Sequence, residues 1–341
     1  MPHISVMIPT YNRVHLVGRT IDSILNQEFT DWDLVVVDDA SDDDTTKIVT
    51  EYCGQDPRLH LVANKRNLGL TRNWNRCLDL ATGSLVQIMQ SDDLIDADYL
   101  GLVSEAFTLR PEIGFVAASC RHIDVDGRII HSGNARAPRL YHAGDEAVTA
   151  LLTEGWPHVS SIVMRRQCYE KMGKFDEKIW HGPDGEMFTR IASRFSFYHF
   201  GDVHTSFRRH GSNMGVLEYL RADFLEIDMY KKRLAWSYLS PGGRCRLGID
   251  DLERHITRDG CRSALIGAVV MTAYGRADLS RFYLKQAIKL DRLAWHCPRF
   301  WKALVLLLLP RFGRKLMRSR MRITNTDETT ALKVGNVLRG L

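Results

Sequence analysis

The sequence predicts an α/β fold built on a mainly parallel central sheet, and three observations predict it. Apolar runs of strand length alternate with segments whose apolar residues recur at helical spacing. The runs are apolar throughout, as in strands covered on both faces, which implies helices on either side of the sheet. Three of the runs end in polar clusters: Pro9-Thr10-Tyr11-Asn12, Asp38-Asp39 and Asp92-Asp93. In open sheets of this class ligands collect beyond the carboxyl ends of the strands. One sheet edge is therefore expected to hold the chemistry.

Residues 3–8 form the first strand, stopped by Pro9 and the turn-like Thr10-Tyr11-Asn12-Arg13. Leu16, Val17, Thr20, Ile21, Ile24 and Leu25 mark the first helix. Leu34 to Val37 is a continuous strand, ended by Asp38-Asp39-Ala40-Ser41-Asp42-Asp43-Asp44, and a helix follows over Thr45 to Tyr52. Leu59 to Ala63 is a short strand, Asn67 to Leu70 a turn, and Thr71 to Ala81 a helix. The run from Leu85 enters Gln90-Ser91-Asp92-Asp93. Taken alone, Asp92-Asp93 suits the cap of a following helix, because Asp is a good N-cap. Two adjacent carboxylates beyond a core strand also repel each other, and a divalent cation bridging them to a phosphate would reverse that balance.

Farther on, His158 to Arg166 reads as a turn into a strand, and Asp184 as the N-cap of a helix over Gly185–Ala192. From Val216 the composition turns helical. Ala264, Ala268, Ala273, Tyr274, Gly275, Ala277, Leu279, Tyr283, Leu284, Ala287, Ile288 and Leu290 suggest a packed helix pair, somewhat like one tetratricopeptide hairpin. Ala303 to Leu309 is apolar but far shorter than the ~20 residues that span a bilayer. Flanked by Trp295, Trp301, Phe312 and basic residues, it reads as a segment lying on an anionic membrane surface; a core helix with a solvated basic end competes. The expected division is a domain over 1–215, a helical region over 216–290 and a basic, apolar tail over 291–341.

The chain has 341 residues, enough for one large core and a smaller one. Its seven cysteines are scattered, with no Cys-x-x-Cys, which fits reduced thiols in a cytoplasmic setting. The N-terminus enters a strand with no signal-like region, so secretion is not expected. The net charge is +5, yet residues 292–325 hold nine Lys/Arg and no Asp or Glu. Without them the chain is net acidic, which argues against nucleic acid as a partner. No Gly-x-Gly-x-x-Gly follows the first strand and no Gly-x-x-x-x-Gly-Lys-Ser/Thr occurs, so carboxylates plus a metal are left as the device for a diphosphate.

Four segments now carry a resemblance. Ser5-Val6-Met7-Ile8-Pro9-Thr10-Tyr11-Asn12-Arg13, Val36-Val37-Asp38-Asp39-Ala40-Ser41, Asn67-Leu68-Gly69 with Arg72-Asn73, and Ser91-Asp92-Asp93 resemble the family 2 glycosyltransferases over roughly residues 3–215. The resemblance implies a GT-A-type αβα sandwich with a nucleotide-binding half (about 1–95) and an acceptor half (96–215). It implies that Pro9, Thr10, Tyr11 and Arg13 line the nucleoside pocket and that Asp39 accepts from a base N–H. Arg72 and Asn73 approach the nucleotide or its phosphates. Asp92 and Asp93 match the carboxylates that hold Mn²⁺ or Mg²⁺ and the sugar nucleotide. Gln90 stands where the family often has Asp; it is neutral but still able to hydrogen-bond a ribose hydroxyl.

The same resemblance places Lys171-Met172-Gly173-Lys174-Phe175-Asp176-Glu177 and Gly182-Pro183-Asp184-Gly185-Glu186 in the catalytic half. Asp184 matches the general base, with Glu186 as runner-up; Pro183 replaces a common acidic residue. Phe207-Arg208-Arg209-His210-Gly211-Ser212-Asn213-Met214 matches a segment that closes over the diphosphate, with His210 as a metal or phosphate contact. A surface turn is the plain alternative on composition. Trp156 and His158 are acceptor contacts, although Trp156 also suits a core. The implied activity is inverting transfer from a nucleotide-diphosphate sugar, UDP-sugars being the commonest, to a glycan or lipid-linked acceptor at the inner membrane face. The alternative is a non-catalytic nucleotide-sugar or glycan-binding module. A nucleotidyltransferase is weakened by the missing glycine-rich phosphate loop.

Overall fold

The computed structural model describes residues 3–133, 135, 137–210, 218–221, 223–273 and 276–308. Two compact units divide the chain: Met1–Arg209 with Ala235–Gly243, and His210–Leu234 with Arg244–Leu341. Beyond the expected division at 215, the first unit takes in a short later segment, Ala235–Gly243.

In the first unit the elements are β1 (Ile4–Thr10), α1 (Val17–Leu25), β2 (Trp32–Asp38), α2 (Thr45–Cys53), β3 (Leu59–Ala63), α3 (Leu70–Leu80) and β4 (Leu85–Ile88). Then come β5 (Leu94–Ile95), α4 (Tyr99–Leu109), β6 (Ile113–Ile123), β7 (Ile129–His131), β8 (Arg139–Tyr141) and α5 (Asp145–Thr153). A 3-10 turn (Val159–Ser161), β9 (Ile162–Arg165), α6 (Arg166–Met172), α7 (Pro183–Ala192) and β10 (Ser196–Arg208) complete it. The sheet order is β3-β2-β1-β4-β9-β6-β10-β5, with β7 on β6 and β8 on β10. β3, β2, β1, β4, β6 and β10 run one way; β9 between β4 and β6, and β5 at the edge, run the other.

Both faces of this sheet are covered, which is why its strands carry no polar alternation. Ile4, Val6 and Ile8 share a core with Val17, Ile21 and Ile24 of α1 and with Tyr99, Leu100 and Val103 of α4. Met7, Val35 and Val37 point the other way, the side on which α3 packs with Trp74, Cys77 and Leu78 buried. Each such side chain contributes roughly 1.5–3 kcal/mol when fully buried.

β1 continues through Pro9 to Thr10, two residues beyond the expected stop. Met7 O accepts from Met89 N–H, so odd residues of β1 direct their polar groups toward β4. β4 ends at Ile88, opposite Met7, so no carbonyl there needs the N–H that Pro9 lacks. Asp92-Asp93 cap no helix: they lie in the turn before β5, and α4 takes Asp98 as its N-cap. α7 begins at Pro183 rather than Gly185, with Gly182 at the N-cap in the left-handed region (φ 51°). Proline suits that first position because its missing N–H would be unsatisfied there anyway.

The second unit takes α8 (Phe224–Ser237) up to Leu234, the end of α9 (Pro241–Arg246), α10 (Leu252–Ala273), α11 (Ala277–Leu290) and α12 (Pro298–Leu308). α10 packs on both α11 and α12, and Ala264, Ala268, Tyr283, Leu284 and Ala287 are buried as the helix-pair spacing predicts, whereas Ile288 of the same set is exposed. Gly267 allows the close approach: a Cβ there would sit 2.8 Å from Tyr219 Cδ1. Tyr274, Gly275 and residues 309–341, including Phe312 and most of the basic tail, lie outside the described residues. Among the described residues no helix is long and apolar enough to cross a membrane.

Candidate active site

The polar ends of β1 and β2 are sewn into one floor. Asn12 N–H donates to Ser41 Oγ (2.9 Å), Asp42 N–H to Asn12 Oδ1 (3.0 Å) and Arg13 N–H to Thr45 Oγ1 (2.8 Å). Asp43 accepts from Val14 N–H and from both the N–H and hydroxyl of Thr45. Burial works against the Asp43 charge, but these donors outweigh it and hold its carboxyl below the usual range. Asn12 (φ 52°) and Ala40 (φ 59°) are the non-glycine residues with positive φ among the described residues, and both sit in this floor. Asn tolerates that conformation. Ala does not, so Ala40 is held there by its surroundings at a cost of order 1–2 kcal/mol.

Asp39 is buried one residue past the end of β2. Its Oδ1 accepts from Asn64 Nδ2 (2.9 Å) and Leu68 N–H (2.8 Å), and its Oδ2 from Gly69 N–H (2.9 Å). It therefore anchors the Asn67–Gly69 turn, and a fourth acceptor position, on Oδ2, is the one a nucleobase N–H would use. Asn73 corrects its expected role. Its amide donates to Val37 O (3.0 Å) and its carbonyl accepts from Asn64 (2.9 Å), so it is a strut beneath Asp39 rather than a ligand contact. Arg72 is exposed and paired with Glu177 at 2.9 Å.

At the end of β4 the two aspartates separate. Asp93 is fully buried, its Oδ2 accepting from the Ser160 hydroxyl (2.6 Å) and its Oδ1 from Arg208 N–H (3.0 Å). Burial, and then the neighbouring Asp92 charge, push its carboxyl well above the usual range despite those donors. Asp92 keeps 12% of its side chain exposed and faces Arg13 Nε at 3.7 Å. Arg208 is buried and donates to the carbonyls of Asp92 (2.8 Å), Asp124 and Val125 (3.0 Å each). It clamps the turn that presents Asp92. Ser160 also accepts Gln90 N–H (3.1 Å). Ser160 and Arg208 carry positioning roles the sequence did not single out, because nothing in a Ser-Ser or Arg-Arg pair marks which member faces inward.

Two buried polar atoms at these strand ends, Thr10 Oγ1 and Gln90 Nε2, find no hydrogen-bond partner in the protein. Buried polar groups are nearly always satisfied, so these atoms point to a polar ligand. Among the described residues no group of three or more His, Cys, Asp or Glu could hold a metal ion by itself. Of the expected set, Asp92 and Asp93 lie in the first unit and His210 in the second, and residues 211–217 lie outside the described residues. One partly exposed carboxylate fits a cation that completes its shell with substrate phosphates and water, as Mg²⁺ usually does.

Across the site, His158 lies 3.4 Å from Asp93 Oδ2. Burial is the largest influence on its imidazole and holds its pKa below the ordinary value, while Asp184 and Asp92 pull it upward. Both carboxylates therefore act on one ring. Asp184 is half-buried in the first turn of α7, and among the described residues no hydrogen bond or ion pair engages it. Glu186, one position after Gly185, is different: it is buried, paired with Arg190 at 2.9 Å and accepts from Tyr238 (2.7 Å), so it is structural. Trp156 is 38% exposed, donates its Nε1–H to Thr189 (3.0 Å) and lies against Gly185.

The model of Glycosyl transferase family 2 matches residues 5–173. The chondroitin synthase of Pasteurella multocida is 26% identical over 216 residues, 63% of this chain and 22% of that one. An uncharacterized protein of Mycobacterium tuberculosis, MT1568, is 32% identical over 222 residues, 61% of this chain and 67% of that one. The chain spans only 21–30% of the length of the first polysaccharide synthases it matches. Among solved structures, residues 1–349 of S. aureus TarS in complex with UDP-GlcNAc superimpose with a TM-score of 0.55 at 18% identity, covering 86% of this chain and 90% of that one. The mannosyltransferase PcManGT from Pyrobaculum calidifontis, in complex with GDP-Man and Mn²⁺, gives 0.56 at 20%, covering 92% and 87%. These structures share the GT-A-type fold. The matched model, which contains the strand-end motifs and both aspartates, agrees with that fold, and the chain belongs to glycosyltransferase family 2.

Proposed function

We propose that this chain transfers a sugar from a nucleotide-diphosphate sugar to an acceptor hydroxyl, with inversion at the anomeric carbon. The nucleoside rests on the floor formed by Pro9, Thr10, Tyr11 and Arg13 with Asp39, and the unsatisfied Thr10 Oγ1 and Gln90 Nε2 receive its polar groups. UDP-GlcNAc and GDP-Man are bound by the structural neighbours, which supports the donor class; a UDP-sugar is the first choice. Mn²⁺ or Mg²⁺ on Asp92 would supply Lewis-acid neutralisation of the leaving diphosphate, a contribution of several kcal/mol. Asp93, Ser160 and Arg208 hold Asp92 in place, and Arg13 adds positive charge beside it.

Asp184 takes the proton from the attacking hydroxyl. The observation that carries this reading is that its carboxylate is unengaged among the described residues, in the first turn of α7 and next to Gly185, against which Trp156 lies. One base suffices for direct displacement, and direct displacement inverts. Asp184→Asn is expected to lower transfer by about 10²–10⁴-fold with nucleotide affinity unchanged. Equal loss of both in kinetic and binding assays would sink the assignment. The acceptor, a glycan or lipid-linked sugar, approaches past Trp156 and His158. A non-catalytic sugar-nucleotide-binding module is the competing reading, and donor hydrolysis or transfer above background decides against it.

The second unit supports work at the cytoplasmic face of a membrane. Trp295, Trp301, Val305 and Leu293 are exposed in or near α12, beside the exposed basic residues Arg292, Arg299 and Lys302. Exposed aromatic and apolar groups mixed with basic ones suit an anionic lipid surface.

A further inference from the structure

A cavity of about 350 Å³ opens between β6, β10 and the segment that carries Trp156 and His158. Its wall includes His122, His158, His199, Phe207, Trp156 and Arg209, and no acidic residue lines it. Trp156 and His158 are the residues that stand next to α7 and to the Asp pair, so the cavity adjoins the candidate base. Its volume falls in the range of small-ligand pockets and holds a sugar ring with a substituent.

The Arg209 charge in this cavity has no carboxylate partner among the described residues. Arg209 is exposed, its guanidinium lies 4.8 Å from the centre of the Phe207 ring, and Nη2 stands 3.5 Å from His122 Nδ1. Among the described residues no carboxylate is within ion-pair distance of it, whereas Arg13, Arg72 and Arg190 each have one. The His131 ring lies 5.4 Å from that of His122. His122 feels this gathering: burial first, and then Arg209, His131 and His158, hold its pKa below the ordinary value. His158 Nδ1 is buried and makes no hydrogen bond, with Asp93 Oδ2 3.4 Å away. An exposed guanidinium beside imidazoles, in a cavity whose lining holds no carboxylate, suits an oxyanion, because charge-assisted bonds of this kind are short and strong.

We propose that the acceptor is acidic: an oxyanion on it, carboxylate or phosphate, docks between Arg209 and His122 while its hydroxyl is presented to Asp184. This rests on the transferase reading above and names the acceptor's chemical class. The anion holds the acceptor at a second point, which fixes which hydroxyl reaches the base.

The test is calorimetric titration of the full chain with inorganic phosphate and, separately, with glucuronate, glucose serving as the neutral control. At least one anion is expected to bind about tenfold or more tightly than glucose, and Arg209→Gln to weaken it about tenfold, the worth of one charge-assisted hydrogen bond, while Arg13→Gln changes it less than about twofold. Arg209→Lys should retain part of the affinity. Preference for phosphate assigns a phosphorylated acceptor, and preference for glucuronate a carboxylated one. Binding of neither anion, affinity that survives both Arg209→Gln and His122→Asn, or loss on Arg13→Gln instead, overturns the proposal. UDP and GDP titrations on the same samples test the transferase reading separately. If neither nucleotide binds while anion binding stays intact, the acceptor assignment falls and the anion site stands.

Discussion

Asp92 and Asp93 are adjacent and chemically identical, yet their surroundings give them different work. Asp93 has no exposed side-chain surface and both oxygens are engaged, whereas Asp92 reaches solvent beside Arg13. Asp93→Asn removes a like charge beside Asp92 and rearranges one bond at Ser160, so stability should stay within about 1 kcal/mol. Asp92→Asn removes the negative charge and one of the two carboxylate oxygens proposed to face a metal. A nucleoside diphosphate at a hundred times its Kd should stabilise the protein by about 2.7 kcal/mol. In thermal-shift assays the Mn²⁺-dependent part of that gain is expected to vanish in Asp92→Asn and persist in Asp93→Asn; the opposite pattern would reverse the assignment. The pair itself was legible in the sequence. The division of labour was not, because it depends on Ser160 and Arg208, which are far away in the chain. Asn73 teaches the same lesson from the other side: the motif was recognisable, but its amide is consumed inside the protein by Val37 and Asn64.

α7 shows what an element adds to its residues. Gly182 turns the chain with a positive φ, Pro183 starts the helix and Asp184 follows in the first turn, where the helix N-terminus favours negative charge. Gly185 makes room for Trp156: a Cβ there would lie 2.9 Å from Trp156 Cδ2. Gly185→Ala should displace the indole, weaken its bond to Thr189 and cost about 1–3 kcal/mol in denaturant unfolding. The acceptor KM should rise while nucleotide Kd holds. Unchanged acceptor kinetics would free Trp156 of any part in acceptor binding. The sequence places this helix within two residues, and on residue type alone it offers Asp184 as the cap, where the structure has Gly182. β1 likewise runs past Pro9, where composition predicts a stop. In both places a proline stands where no N–H is required, and only the neighbouring strand or the helix start reveals that.

On the scale of the whole molecule, the helical unit offers the membrane test. The full chain is expected to sediment with vesicles containing anionic lipid, and the exposed Trp295→Ser/Trp301→Ser pair to release it without unfolding the unit, since Phe300 and Ala303 keep α12 packed. Equal sedimentation of both proteins would dismiss the idea. By itself the sequence determined the alternation of buried strands and helices, the sheet edge that carries the chemistry, and the helix pair near the C-terminus, because periodicity and strand-end composition are local properties. The tertiary structure decided which carboxylate is spent on the fold, which residues clamp the turn, that 235–243 rejoins the first unit, and that Arg209 shares a cavity with three histidines. Those outcomes depend on burial and on groups brought together across the sheet, and burial is what turns a charge from a solvated ornament into a structural or chemical tool.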